Sequence, residues 1–187
     1  MNFFDTLLKT AVPVDWATLL LGWDGLGDRN GMVTMEQLQS YAMDQIGYGP
    51  ESEFELVSGI AFAEARDTWT IRACLEQLAS DAPAAKRRAL RVWRWVVLSV
   101  LVQELEEGLA EPAHPEDSYW FETAAIVVWS KLRNFWEAFP AESTLSVEDW
   151  NLRTGDDLRW AKQLLRQHRQ FLDQEEADLR KKETTWM

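Results

Sequence analysis

Apolar residues recur at three- and four-residue intervals along nearly the whole chain, and no stretch alternates as a half-buried strand does. Asp15 is placed to cap a short helix, Trp16–Leu21, which Gly22 would end. Trp23–Gly31 reads as a loop. Thr34 and Gln37 have capping-box spacing and open a second helix carrying Met35, Leu38, Tyr41, Ala42 and Ile46. Gly47-Tyr48-Gly49-Pro50 stops it. A third helix is predicted from Ser52 to about Glu64, through Phe54, Leu56, Val57, Ile60 and Ala61. Asp67 stands where it would cap a fourth, Thr68–Ala79, with Ile71, Cys74, Leu75 and Leu78 on one stripe.

After Asp81–Pro83 the pattern predicts a long fifth helix, from about Ala84 to Gly108, carrying Leu90, Trp93, Val97, Leu101 and Leu105. Its middle is apolar on all sides, which places it at the centre of a bundle. Glu111-Pro112-Ala113-His114-Pro115 is a breaker, because proline cannot continue the preceding helix. A sixth, aromatic helix spans about Pro115–Phe139, and a short one runs from Ser146 to Leu152. The last opens at Thr154 or Gly155 and carries Leu158, Ala161, Leu164, Leu165, His168 and Leu172, then fades into a charged tail, Glu175–Lys182. The expected fold is all-α: a single-domain helical bundle of about seven helices with a central long hydrophobic helix. The domain spans 1–187, with sub-lobes 1–80 and 84–182 and a frayed tail at 183–187.

Composition narrows the function classes. Nineteen Lys and Arg against 31 Asp and Glu give a net charge of −12, and 11 Trp accompany only two His and one Cys. So acidic a chain argues against nucleic acid and anionic membranes, and suits a basic protein partner. The lone Cys74 fits a reducing compartment and reads as a buried structural thiol. The longest apolar run, Trp95–Val102, is interrupted by Ser99 and falls short of the ~20 residues a bilayer span needs. Met1-Asn2-Phe3-Phe4-Asp5 lacks a basic segment leading into an apolar one, so the expected location is the cytoplasm.

Sites of chemistry are sparse. Leu26–Gln37 follows the spelling of an EF-hand loop, but Leu26 and Gln37 replace the first and last carboxylates, so a turn and a helix cap explain it better than calcium. Glu111-Pro112-Ala113-His114 spells the Glu-x-x-His of di-iron bundles, but on a proline-broken loop and without a second copy. No phosphate loop, Cys/His cluster or nucleophile elbow is present, so no catalytic residue, metal or cofactor is expected, and His168 reads as a helix-face residue. Lys86, Arg87, Arg88, Arg91 and Arg94 form a basic stretch, better explained by internal ion pairs than by an anion site; Arg91 and Trp95 have the spacing for stacking.

The acidic segments are the candidate site. Between Glu104 and Glu122 lie seven carboxylates and no Lys or Arg. Glu104, Glu107 and Glu111 share a helical face, and Glu116 and Asp117 follow across the break, near Trp120. Glu51, Glu53 and Glu55 open the third helix. These nine residues form the expected partner-binding set, which competes with a plain solvated rim that offsets helix dipoles. Trp93, Trp129 and Trp136 lie on apolar stripes and read as core. Trp23, Trp120, Trp150 and Trp186 lie near loops or termini and are the candidate anchors.

Trp16-Ala17-Thr18-Leu19-Leu20-Leu21-Gly22, then Val33-Thr34 and Tyr41-Ala42, resemble a family of small bacterial proteins grouped with toxin-immunity proteins. The likeness does not extend past Ile60. It implies a cytoplasmic antidote that binds a cognate toxin and blocks it; the acidity of the chain suits a toxin with a basic surface, and no enzymatic activity is expected. The alternative is a non-catalytic helical scaffold or adaptor in a cytosolic complex.

Overall fold

A computed structural model describes residues 3–26, 31–64, 66–110, 118–139 and 157–181. Among these residues the regular elements are α1 (Phe3–Leu8), α2 (Trp16–Asp24), α3 (Met35–Gln45), a 3-10 turn (Glu51–Glu53), α4 (Phe54–Ala61), α5 (Thr68–Leu78), α6 (Pro83–Ala110), α7 (Ser118–Ala138) and α8 (Asp157–Arg180). The fold is all-α, as the spacing of apolar residues predicts. The chain divides into two compact units, Met1–Val96 with Leu179–Met187, and Val97–Asp178. The boundary falls inside α6.

In the first unit, α2 is fixed to α6 at three points. Asp15 caps α2: its Oδ1 accepts from the Thr18 amide and the Thr18 hydroxyl, each at 2.7 Å. Its Oδ2 accepts from Arg88 Nη1 at 3.0 Å, while Arg88 Nη2 donates to the Pro13 carbonyl at 2.8 Å. One turn further on, the Trp93 indole N–H donates to the Thr18 carbonyl at 2.6 Å. Trp93 is 0% exposed, and its ring lies against Gly22. Removing so large a buried side chain costs about 3–5 kcal/mol.

Gly22 is therefore not the helix terminator the sequence suggests. The helix runs through it to Asp24 and ends at Gly25, whose φ of 87° is a left-handed value that glycine tolerates. Gly22 is small so that Trp93 can approach. Its carbonyl also accepts the amides of Met32 and Val33, at 3.0 and 3.3 Å, which seats the segment before α3. Thr34 and Gln37 complete the predicted capping box. Tyr41 meets Trp16 edge to face and donates to the Val14 carbonyl at 3.1 Å.

α4 packs against α3 and α5, and α2 against α5. The third helix ends earlier than expected, at Ala61 rather than near Glu64. Gln39 of α3 explains part of this: its side-chain amide holds the Ala63 carbonyl at 2.7 Å, and the Ala63 amide makes a tightened bond to Ile60. Asp67 precedes α5 but makes no side-chain capping bond. Cys74 is half-buried rather than fully buried, facing Gly59 of α4. α1 was not expected from the pattern; its Phe4 and Leu7 are both buried.

α6 is buried over most of its middle, from Val92 to Val102, with only Arg94, Ser99 and Leu101 half-buried. Leu90, assigned to its apolar stripe, is instead exposed. In the second unit, Trp136 of α7 packs on His168 and Phe171 of α8, and Phe135 stacks on Phe139. Arg169 of α8 grips Glu106 of α6 with three hydrogen bonds, the shortest 2.6 Å. The predicted charged tail is helix to Arg180, because Leu172 and Glu175 continue its buried face. The helix expected at Ser146–Leu152 lies outside the described residues, as do Thr154 and Gly155.

A methyl group at position 22 would stand 2.2 Å from the Trp93 ring and 2.6 Å from Val33. Gly22→Ala should thus destabilise the protein by about 1–3 kcal/mol or more through overpacking. Gly47→Ala, where nothing lies within 4 Å, is the control. Urea unfolding of both variants measures the difference; equal midpoints would show that Trp93 yields freely.

Candidate functional site

Glu51, Glu53 and Glu55 lie at the turn between α3 and α4. Pro50 ends the preceding loop and the 3-10 turn begins at Glu51, so these carboxylates sit at the N-terminal end of α4. There they oppose the partial positive charge of the helix end. Glu51 and Glu55 are exposed and Glu53 is half-buried. None of the three holds an ion pair with another described residue.

Glu51 and Glu55 line an open hollow of about 750 Å³, whose other walls include Ile46, Pro50, Phe54 and Val57. Phe54 is 54% exposed, and Tyr48, in the same turn, is 90% exposed. Sequence reasoning placed Phe54 on the apolar face of a helix and passed over Tyr48. As the first residue of α4, Phe54 precedes the turn that carries the buried face of Val57 and Ile60. Tyr48, between two glycines, has no helical face to bury it. That isolation was the available signal.

The second acidic group is only partly described. α6 does persist through Glu104 and Glu107, and both are exposed. Gln103 donates to Glu107 at 2.8 Å. Glu106, between them, is bound to Arg169, so the locally uninterrupted acidity of this segment is relieved from α8. Glu111, Glu116 and Asp117 lie outside the described residues, as does the side chain of Trp120. Trp150 and Trp186 also lie outside them, and Trp23 is half-buried. Trp93 and Trp136 are core, while Trp129 is half-buried beneath the guanidinium of Arg133. Phe62 and Trp69, at the α4–α5 corner, are 69% and 80% exposed, and the apolar pattern gave no sign of it.

In the basic stretch of α6, Lys86 pairs with Asp81 and Arg88 with Asp15, each at 3.0 Å. A second cavity, of about 470 Å³, lies among α2, α5 and the start of α6, with Leu20, Leu21 and Ala89 in its walls. Asp24 and Glu76 also line it, and Arg72 bridges them at 3.2 and 3.0 Å. In the EF-hand-like loop, residues 27–30 lie outside the described set, and Gln37 spends its side chain on the Thr34 amide. Among the described residues, no three His, Cys, Asp or Glu side chains gather as metal ligands, and no helix is long and apolar enough to cross a membrane.

Residues 4–176 match a family described as an uncharacterized protein conserved in bacteria, DUF2247. The chain belongs to this family. No curated protein and no solved structure matches it. The match runs far past Ile60, where the N-terminal resemblance stops.

In this DUF2247 chain His168, the helix-face histidine of the predicted last helix, is fully buried on the inward face of α8. The Trp136 indole N–H donates to its Nε2 at 3.1 Å. Nε2 must then be bare, which leaves the proton on Nδ1, donating to the Leu164 carbonyl at 2.8 Å. Burial holds the imidazole below the ordinary histidine range, and the Leu164 bond opposes that only in part. Protonating Nε2 would set two N–H groups against each other.

The sign follows from linkage. A histidine depressed in the folded state is protonated more readily when unfolded. Its stabilisation is therefore present above the ordinary value of about 6.5 and lost as pH falls below it. Urea unfolding at pH 7.5 and pH 5.0 should show the wild type losing more stability than His168→Gln. Parallel losses in the two proteins would mean that His168 titrates freely in the fold.

Proposed function

We propose that this protein is an inhibitor of the immunity type, which binds a toxin domain with a basic surface and blocks it by occlusion. The observation that supports this reading is the hollow at the α3–α4 turn. It combines two carboxylates that no described residue pairs, Glu51 and Glu55, with an exposed aromatic ring, Phe54, and no Lys or Arg lines it. Inhibition by occlusion asks for affinity and specificity rather than chemistry. Long-range attraction from a chain of charge −12 raises the encounter rate above the ~10⁵–10⁶ M⁻¹s⁻¹ of uncharged partners. An aromatic anchor then slows release. Glu104 and Glu107 supply further negative charge on α6. The N-terminal resemblance to proteins grouped with toxin immunity points the same way.

A second reading, a helical adaptor, is favoured by one separate observation. Two further exposed aromatic side chains, Phe62 and Trp69, stand at the end of α4 and the start of α5. An adaptor needs two such faces, whereas an inhibitor needs one. A one-to-one complex supports inhibition; simultaneous binding of two different proteins supports the adaptor.

The test begins with the gene next to the one encoding this chain. Its product, expressed alone in a bacterial host, should arrest growth, and co-expression of this chain should restore it. Glu104→Gln with Glu107→Gln should slow association of the purified pair by roughly two- to tenfold at low salt, and flatten its salt dependence. Folding should be unchanged. Growth arrest that this chain does not relieve would overturn the inhibitor reading, and unchanged association kinetics would show that these two carboxylates do not steer the partner.

A further inference from the structure

We infer that the hollow between the C-terminal end of α3 and the start of α4 is the seat of an arginine side chain from the partner protein. This deepens the proposed function and rests on it for the identity of the partner, though the seat can be tested alone. The argument begins with an imbalance of charge. The last turn of α3 has no basic residue, although a cation is favoured there, and it carries Asp44 instead. Across the turn, Glu51, Glu53 and Glu55 stand at the start of α4. A helix N-terminus supplies only about half a positive charge, so three carboxylates overcompensate it several-fold. None of these four acidic side chains is neutralised by a described residue.

The shape of the hollow narrows the choice of cation. Its walls are mixed: Ile46, Pro50, Phe54 and Val57 give an apolar side, beside the two carboxylates, Gln45 and Ser52. Phe54 offers more than half its surface to solvent. Such a wall suits a cation that carries its own apolar stem and a flat, weakly hydrated head. Arginine has both. Its guanidinium stacks on aromatic faces and meets a carboxylate with two parallel hydrogen bonds, while a lysine ammonium is a compact, strongly hydrated charge. Glu51 and Glu55 would hold the guanidinium edge, with Phe54 against its face.

The experiment is a backbone-amide NMR titration of the full chain with tetra-arginine amide, and in parallel with tetra-lysine amide. Shifts should concentrate at Gly47, Gly49, Glu51, Phe54 and Glu55. Tetra-arginine should bind roughly two- to fivefold more tightly than tetra-lysine, the margin that stacking supplies. Glu51→Gln with Glu55→Gln should weaken binding about tenfold. Phe54→Leu should erase the preference for arginine while keeping the fold, as circular dichroism will show.

Shifts spread evenly over exposed carboxylates, with Glu104 and Glu107 moving as much as Glu55, would overturn the seat. Equal affinity for the two peptides would overturn its selectivity. The two proposals fail separately. A toxin that still binds the Glu51→Gln, Glu55→Gln protein at the wild-type rate and affinity removes the seat and leaves inhibition standing. A neighbouring gene product that this chain does not bind removes inhibition, while the peptide titration still reports on the seat.

Discussion

The first unit depends on where Trp93 sits. Its ring lies against Gly22, and its N–H is satisfied by a carbonyl one turn from the α2 cap. The cap residue, Asp15, shares its carboxylate between α2 and Arg88 of α6. Start, middle and register of α2 are therefore all set by one face of α6. A helix of nine residues has little stability of its own in water. It is α6 that makes α2 a helix, and Gly22 in turn receives the chain leading into α3.

This dependence explains what could be read from the sequence. Thr34 with Gln37 and the buried middle of α6 were legible, because caps and all-round apolarity are local or summed signals. Gly22 was misread because two physical roles share one residue: glycine ends helices and also admits a close neighbour. Only the position of Trp93, 71 residues away in the chain, decides between them. Glu175 and Leu179 show the reverse error. Charge density suggested a solvated tail, yet the three- and four-residue spacing of buried positions carries α8 to Arg180.

The candidate site was legible as charge but not as shape. Glu51, Glu53 and Glu55 announce themselves in the sequence. That Phe54 faces outward among them does not, because helical periodicity assigns it to the core. Glu106 shows the limit of counting charges along a segment. Its neighbours within the acidic run contain no cation, and the guanidinium that binds it arrives from α8. Cations elsewhere are similarly engaged, Arg88 on Asp15 and Arg72 on two carboxylates. With 19 basic residues against 31 acidic ones, such pairing leaves the surplus of negative charge to whichever segments no cation reaches. Among the described residues, no cation reaches the carboxylates of the α3–α4 turn.

The contact between Gly22 and Trp93 also bears on how this family can diverge. The two residues fill a single volume from opposite helices, so neither can change size alone. A relative with alanine or serine at the first position must carry a smaller ring, or a shifted α2, at the second. Variation at these two sites should therefore be correlated across the family, and the correlation is a record of the packing that any reconstruction of its ancestry has to respect.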